Sequence, residues 1–168
     1  MARLENLLGA HALTVVDRME AATTAPSESA ALATLLAHPG RGVGWLGDVL
    51  GLTDSGSTRL VGRLVAVGLV RREPGADARS RTLTLTAMGR RRARAVLRDR
   101  ERALTPVLEP LSDAERRTLE RLLGKVVAGL ADDRAAGLHT CRMCDRDACD
   151  AGTRACPLWH TVPEGDRP

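Results

Sequence analysis

The feature that most narrows what this chain can fold into is a change of hydrophobic period at Gly68. Before it, and again after residue 86, apolar residues recur at helical spacing. Between them, Arg81-Thr82-Leu83-Thr84-Leu85-Thr86 alternates strictly between polar and apolar side chains. Alternation puts every second side chain on one face, as in a half-buried strand, whereas a 3.6-residue period gives a helix one apolar stripe. A single hairpin set among helices makes the expected fold mainly α. Composition agrees: with two Trp and no Phe or Tyr, the core has to be filled by Leu, Val and Ala. That suits helix-on-helix packing better than a sandwich.

About six helices are expected. Leu4 to Met19 carries apolar side chains at helical spacing (Leu4, Leu7, Leu8, Leu13, Val16, Met19), and Pro26 and Ser27 are expected to break the chain after it. Ser29 to Leu36 reads as a short second helix ending at Pro39-Gly40, and Val43 to Leu50 as a third, with Gly51 as a turn. Thr53 has the chemistry of an N-cap for a helix to about Val67, closed by Gly68. A strand starts at Leu69, Pro74-Gly75-Ala76-Asp77 turns the chain, and the alternating strand returns to Thr86. Thr86 then caps a long helix toward Leu108, stopped by Pro110. Ser112 and Glu115 form a capping box for a helix to about Leu130. From Ala131 the chain turns polar and rich in Gly, Asp and Arg, so residues 1–130 are expected to form one domain and residues 131–168 a cysteine-bearing appendage.

The net charge of +4 conceals a segregated basic block. Between Arg59 and Arg100 there are 12 Arg against Glu73, Asp77 and Asp99, a balance of +9, which leaves −5 for the rest of the chain. Such a block is the electrostatic footprint of a polyanion binder. The arginines from Arg90 to Arg100 also fit a solvated helix face that pairs with Asp99 or Glu101.

Order sharpens this. A short helix, a tight turn, a second helix and a two-stranded hairpin make a winged helix-turn-helix, whose second helix enters the major groove with its N-terminal residues at base edges. Here that end is Asp54-Ser55-Gly56-Ser57-Thr58-Arg59. Ser55, Ser57 and Thr58 permit close approach, while Arg59, Arg63 and Arg81 can reach phosphates or guanine edges. The opposite face, Leu52, Leu60, Leu64 and Val67, is expected to pack on the body.

The run from Leu50 to Leu64, the following Gly68-Leu69-Val70-Arg71-Arg72, and the wing Asp77-Ala78-Arg79 with Leu83-Thr84-Leu85-Thr86-Ala87-Met88-Gly89 resemble the MarR family of transcription regulators. The resemblance spans roughly Leu4 to Leu130. It implies a homodimer built through the first and last helices, binding to double-stranded DNA, and a wing whose Arg79 enters the minor groove. Asp54 departs from the pattern, standing where the family often has a basic residue.

All four cysteines fall late, as Cys141, Cys144, Cys149 and Cys156, with spacing C-x2-C-x4-C-x6-C. A C-x2-C pair lets two thiolates converge on one metal, and two more within twelve residues complete a four-sulfur shell. Only the first pair has the knuckle spacing usual for zinc, and the compact loop ending in Cys156-Pro157 resembles those that hold iron–sulfur clusters. Arg142, Arg146 and Arg154 could offset thiolate charge. An iron–sulfur cluster is therefore placed ahead of zinc, which remains open because a tail with little core of its own gains folding energy from a bound zinc. His139 and His160 flank the cluster and could substitute for a cysteine, but ordinary exposed histidines are the favoured reading for both.

The expected function is a cytoplasmic DNA-binding regulator, a repressor acting on a palindromic operator, that senses redox state or metal through the four-cysteine site. The alternative keeps the DNA binding but makes the site a structural zinc clamp, with control by a small-molecule effector. A redox enzyme would leave the basic wing idle, and the chain shows no Cys–His–acid constellation and no Gly-rich phosphate loop, so no enzymatic activity is expected. No apolar run approaches the roughly 20 residues that a bilayer span requires.

Overall fold

Capping chemistry and glycine place most of the element boundaries. The computed structural model describes residues 2–23, 25–75, 80–149 and 156–162. Among these the chain forms α1 (Arg3–Ala21), α2 (Pro26–Ala37), α3 (Val43–Leu50), α4 (Asp54–Ala66), β1 (Val70–Pro74), β2 (Arg81–Leu85), α5 (Ala87–Leu108), α6 (Asp113–Ala128), α7 (Arg134–Thr140), α8 (Arg146–Cys149) and a 3-10 turn at Trp159–Thr161. Eight helices replace the six expected, because the cysteine-bearing tail contributes α7 and α8. Thr53, Thr86 and Ser112 cap α4, α5 and α6 through their hydroxyls, and Glu115 closes the capping box back onto Ser112. Pro26, expected to break the chain, instead opens α2 at its first position, where the missing N–H has no intrahelical partner to lose.

Gly51 ends α3 at φ 66° and Gly68 follows α4 at φ 71°, both in the left-handed region that costs a side-chain-bearing residue energy. They set the turn of the helix-turn-helix and the entry to the wing. β1 and β2 pair antiparallel with Val70 opposite Leu85 and Arg72 opposite Leu83. The wing is anchored at its base: Leu83 exchanges backbone hydrogen bonds with the segment before α3, donating to the Arg41 carbonyl at 2.8 Å and accepting from Gly40 at 3.0 Å.

The core lies where α2, α3, α4 and the hairpin meet, with Leu35, Leu46, Leu60, Val61, Leu64, Val70 and Leu83 fully buried. Each such side chain contributes about 1.5–3 kcal/mol relative to exposure. Val67, expected on the packed face of α4, is 58% exposed; Val61 takes its place, because positions 57, 60, 61 and 64 form the i, i+3, i+4, i+7 stripe. By contrast, α1 and α6 bury no residue at all.

The tail is folded back onto this body. Its α7 packs on α3, and Ala131 and Leu158 are buried. No described helix is long and apolar enough to cross a membrane.

The start of α5 passes so close to the wing that a Cβ on Gly89 would collide with the Leu69 carbonyl, whereas Gly62 faces open space. Gly89→Ala is expected to destabilise the fold by about 1–3 kcal/mol, and Gly62→Ala to stabilise it by about 0.5–1 kcal/mol. Thermal melts of the two variants beside the parent check both signs.

Candidate nucleic-acid interface and metal centre

Close packing positions α4. A Cβ on Gly47 of α3 would lie 3.0 Å from Ser57 of α4, so the two helices approach to the limit that glycine allows. Ser57 is consequently 1% exposed, and its hydroxyl donates to the Asp54 carbonyl. This corrects its expected role at DNA: Ser57 is a packing residue, set on the buried stripe of α4. Ser55, Thr58 and Arg59 are exposed at the N-terminal end of α4, as a reading helix requires. Asp54 sits in the first turn, where a carboxylate favours the positive end of the helix dipole. That role explains its departure from a basic residue.

The arginines divide into distinct environments. Arg63 pairs with Glu28 at 3.1 Å on a largely exposed surface, and Arg71 pairs with Glu73 at 2.8 Å. Exposed pairs of this kind are worth about 0–1 kcal/mol, so a phosphate can displace them. Arg81 is exposed at the start of β2. Arg79 lies outside the described residues. Arg102 pairs with Asp99, in line with a solvated face, but Arg100 does not belong to it. The Arg100 guanidinium donates to the Met143 carbonyl at 2.9 Å, and its Nε is buried with no partner among the described residues.

The four cysteines are half-buried, and none is in a disulfide. They stand between two cavities. One, of about 900 Å³, opens toward Met19 of α1, Arg100 of α5 and Leu123 and Val127 of α6. The other, of about 470 Å³, opens toward His38 and Arg41 before α3, and toward Trp45 of α3. A hydrogen bond from the Cys144 thiol lowers the pKa of Cys141, while that bond and burial push the Cys144 thiol up; a further thiol hydrogen bond links Cys144 to Cys149. Cys141 is thus the readier of the two to ionise. Among the described residues no group of three His, Cys, Asp or Glu side chains is already arranged to hold an ion. The donor set nonetheless fits a thiophilic metal: four thiols line shared walls, and three are linked by hydrogen bonds.

His139 and His160 are both exposed, in line with the favoured reading of them as ordinary histidines. The His139 Nδ1 faces the Val49 carbonyl at 2.9 Å, and the two His160 ring nitrogens face the carbonyls of Pro157 and Ala131. Each is tied to backbone. His38, which has no role on sequence grounds, lies in the smaller cavity against Trp45. Burial, with Arg146, Arg134 and Arg41 beside it, pushes its imidazole down to about 4.

Backbone carbonyls of the Cys141–Cys144 loop are held from the body. Thr34 of α2 donates to the Arg142 carbonyl at 2.9 Å, and Arg100 of α5 takes the next one. With His139 on α3, three helices grip the tail within a few residues of the cysteines. Sequence reasoning missed Thr34, Arg100 and Arg41, since nothing local to them signals a partner about 40 to 110 positions away, and it missed Arg134, close to Cys141 in the chain, because the sequence does not show which way it faces.

The family model described as MarR family matches residues 23–80. No curated protein matches the chain. Among solved structures, a MarR family protein from Bacillus stearothermophilus is 34% identical, with 73% of this chain and 89% of that one covered and a TM-score of 0.65. The Mycobacterium tuberculosis MarR family protein Rv2887, in complex with salicylic acid, is 26% identical over 75% of this chain and 97% of its own, with a TM-score of 0.58. MepR, a transcription regulator of the Staphylococcus aureus multidrug efflux pump MepA, shares the fold at 18% identity, with 78% of this chain and all of that one covered and a TM-score of 0.62. Helix order, the anchored wing and the B. stearothermophilus likeness agree: the chain belongs to the MarR family of DNA-binding transcription regulators.

Proposed function

We propose that the chain is a repressor that binds a palindromic operator as a homodimer and reads metal or redox state through a four-cysteine centre. The observation that carries the sensing part is position. The cysteines sit between α1 and α6 on one side and the helix-turn-helix on the other, in a tail held by α2, α3 and α5. In this reading residues 131–168 are a metal-binding extension of a DNA-binding and dimerisation domain, residues 1–130.

Unpaired helix faces support the dimer. Leu4, Leu7, Leu8, Leu13 and Val16 of α1, and Leu122, Leu123 and Val126 of α6, are each between 44% and 74% exposed. A second copy covers this apolar surface and sets two α4 helices about one DNA turn apart, near 34 Å. Ser55, Thr58 and Arg59 then face base edges, Arg63 and Arg81 the backbone, and Arg79 the minor groove.

Cys141, Cys144, Cys149 and Cys156 would hold the centre, an iron–sulfur cluster in preference to zinc. A bound cluster would supply a redox- and metal-dependent charge at the thiolates. The chain's part is mechanical: a change at the Cys141–Cys144 loop bears on the Arg142 and Met143 carbonyls, hence on Thr34 and Arg100, and so on the helices that position α4.

A second reading has its own support. A cavity of about 360 Å³ lies between α1, α2 and α5, lined by Thr23, Ser27, Arg92 and Arg100 among others. Rv2887 is known in complex with salicylic acid. A small anionic effector there, with zinc as a structural clamp, would give the same DNA binding under different control.

Three measurements test these readings. Light scattering at micromolar concentration is expected to give twice the chain mass, and Leu123→Glu with Val126→Glu to give a monomer; a monomeric parent would contradict the dimer. Arg59→Ala and Arg79→Ala are each expected to weaken operator binding by about 1–3 kcal/mol, and Arg98→Ala by much less. Equal losses in gel shifts would mean the interface is misplaced. Cys144→Ser, prepared without oxygen, is expected to lose its metal and alter operator affinity. With a clamp only, affinity stays within about threefold while the tail becomes protease-sensitive.

A further inference from the structure

The smaller cavity beside the cysteines has a second wall, of which the sequence pointed to Arg146 alone. Arg41, Arg134 and Arg146 line it, and no Asp or Glu does among the described residues. Arg41 comes from the turn before α3, Arg134 opens α7 and Arg146 opens α8, so three separate segments bring their charge to one place. Among the described residues none of the three is in an ion pair. Their placement is defined: the Arg41 guanidinium lies 5.2 Å from the Trp45 ring centroid, and Arg146 donates to the Ala37 carbonyl at 3.4 Å. Burial first, and then their positive charge, opposes protonation of His38.

We propose that Arg41, Arg134 and Arg146 are the countercharge of a four-thiolate centre and set how tightly this chain holds its metal. The inference rests on the metal reading above and deepens it. Four thiolates around one divalent ion carry a formal charge of −2, and a wall of three cations without a carboxylate offsets it across the cavity. A neutral ligand set would leave that wall uncompensated. Of the arginines nearest the cysteines in sequence, Arg142 instead turns its guanidinium to the His139 carbonyl, and Arg154 lies outside the described residues. The fold therefore replaces two sequence neighbours with Arg41 and Arg134. Arg41 also makes the shell part of the DNA-binding unit, since its carbonyl is bonded to Leu83 of the wing.

The test uses the full chain, reduced and free of oxygen, with Zn²⁺ as the probe and a chromophoric chelator as competitor. Arg41→Gln, Arg134→Gln and Arg146→Gln are each expected to weaken Zn²⁺ retention by roughly 3–10-fold, because exposed charges are partly screened. The triple variant should lose more, and its retention should respond less to added salt. Arg134→Lys should restore most of the parent's affinity, which a purely structural role would not predict, and Arg91→Gln on the exposed face of α5 should leave Zn²⁺ retention unchanged. Both tryptophans of the chain, Trp45 and Trp159, line this cavity, so their fluorescence follows Zn²⁺ binding and reports whether each variant keeps its fold. A triple variant that retains Zn²⁺ as the parent does, at every salt concentration, overturns the countercharge role and leaves the metal reading standing. A parent that retains neither Zn²⁺ nor, after anaerobic reconstitution, iron and sulfide overturns both.

Discussion

Much of this structure depends on one helix of eight residues. Val43–Leu50 packs against α2, α4, β2 and α7, and it can do so because Gly47 lets Ser57 approach to the contact limit while Leu46 and Val49 are buried against its neighbours. The close approach fixes the angle of α4, and through α4 the entry of the wing at Gly68. The same helix offers the Val49 carbonyl to His139 of the tail. A displacement of α3 is therefore felt at once by the reading helix, the hairpin and the cysteine segment.

The basic block looks uniform in sequence and is not uniform in space. Arg59 is left exposed, Arg63, Arg71 and Arg102 are loosely paired, and Arg100 is drawn inward to hold the Met143 carbonyl. Weak exposed pairs keep a surface soluble without committing its charge, so they yield readily to phosphate. Arg100 is of another kind, since withdrawing it would leave a carbonyl beside the cysteines unsatisfied. One residue type thus serves both polyanion attraction and the internal link between tail and body.

Two unpaired surfaces frame the cysteines. The apolar faces of α1 and α6 call for burial, and the basic end at α4 and the wing calls for an anion. The thiols lie between them, against walls supplied by both halves. In the proposed dimer, a centre held there would bear on the distance between two reading helices with little intervening structure, which is why position, more than the cysteine count, supports a sensory reading.

The sequence by itself determined the order of elements, because the signals are local: the caps at Thr53, Thr86 and Ser112, the left-handed glycines at 51 and 68, and the alternation of residues 81–86 all act within a few residues. It also determined the family resemblance and the cysteine spacing. It did not reveal that Ser57 and Val61 face the core while Val67 faces solvent, since a helix of mixed composition has its buried stripe chosen by the neighbour it meets. Nor did it reveal that the tail docks on α3, or that Thr34, Arg100, Arg41 and Arg134 surround the cysteines. All but Arg134 lie far from the cysteines in the chain, and only the tertiary structure, by folding the tail across the helix-turn-helix, decided which charges and carbonyls would meet there.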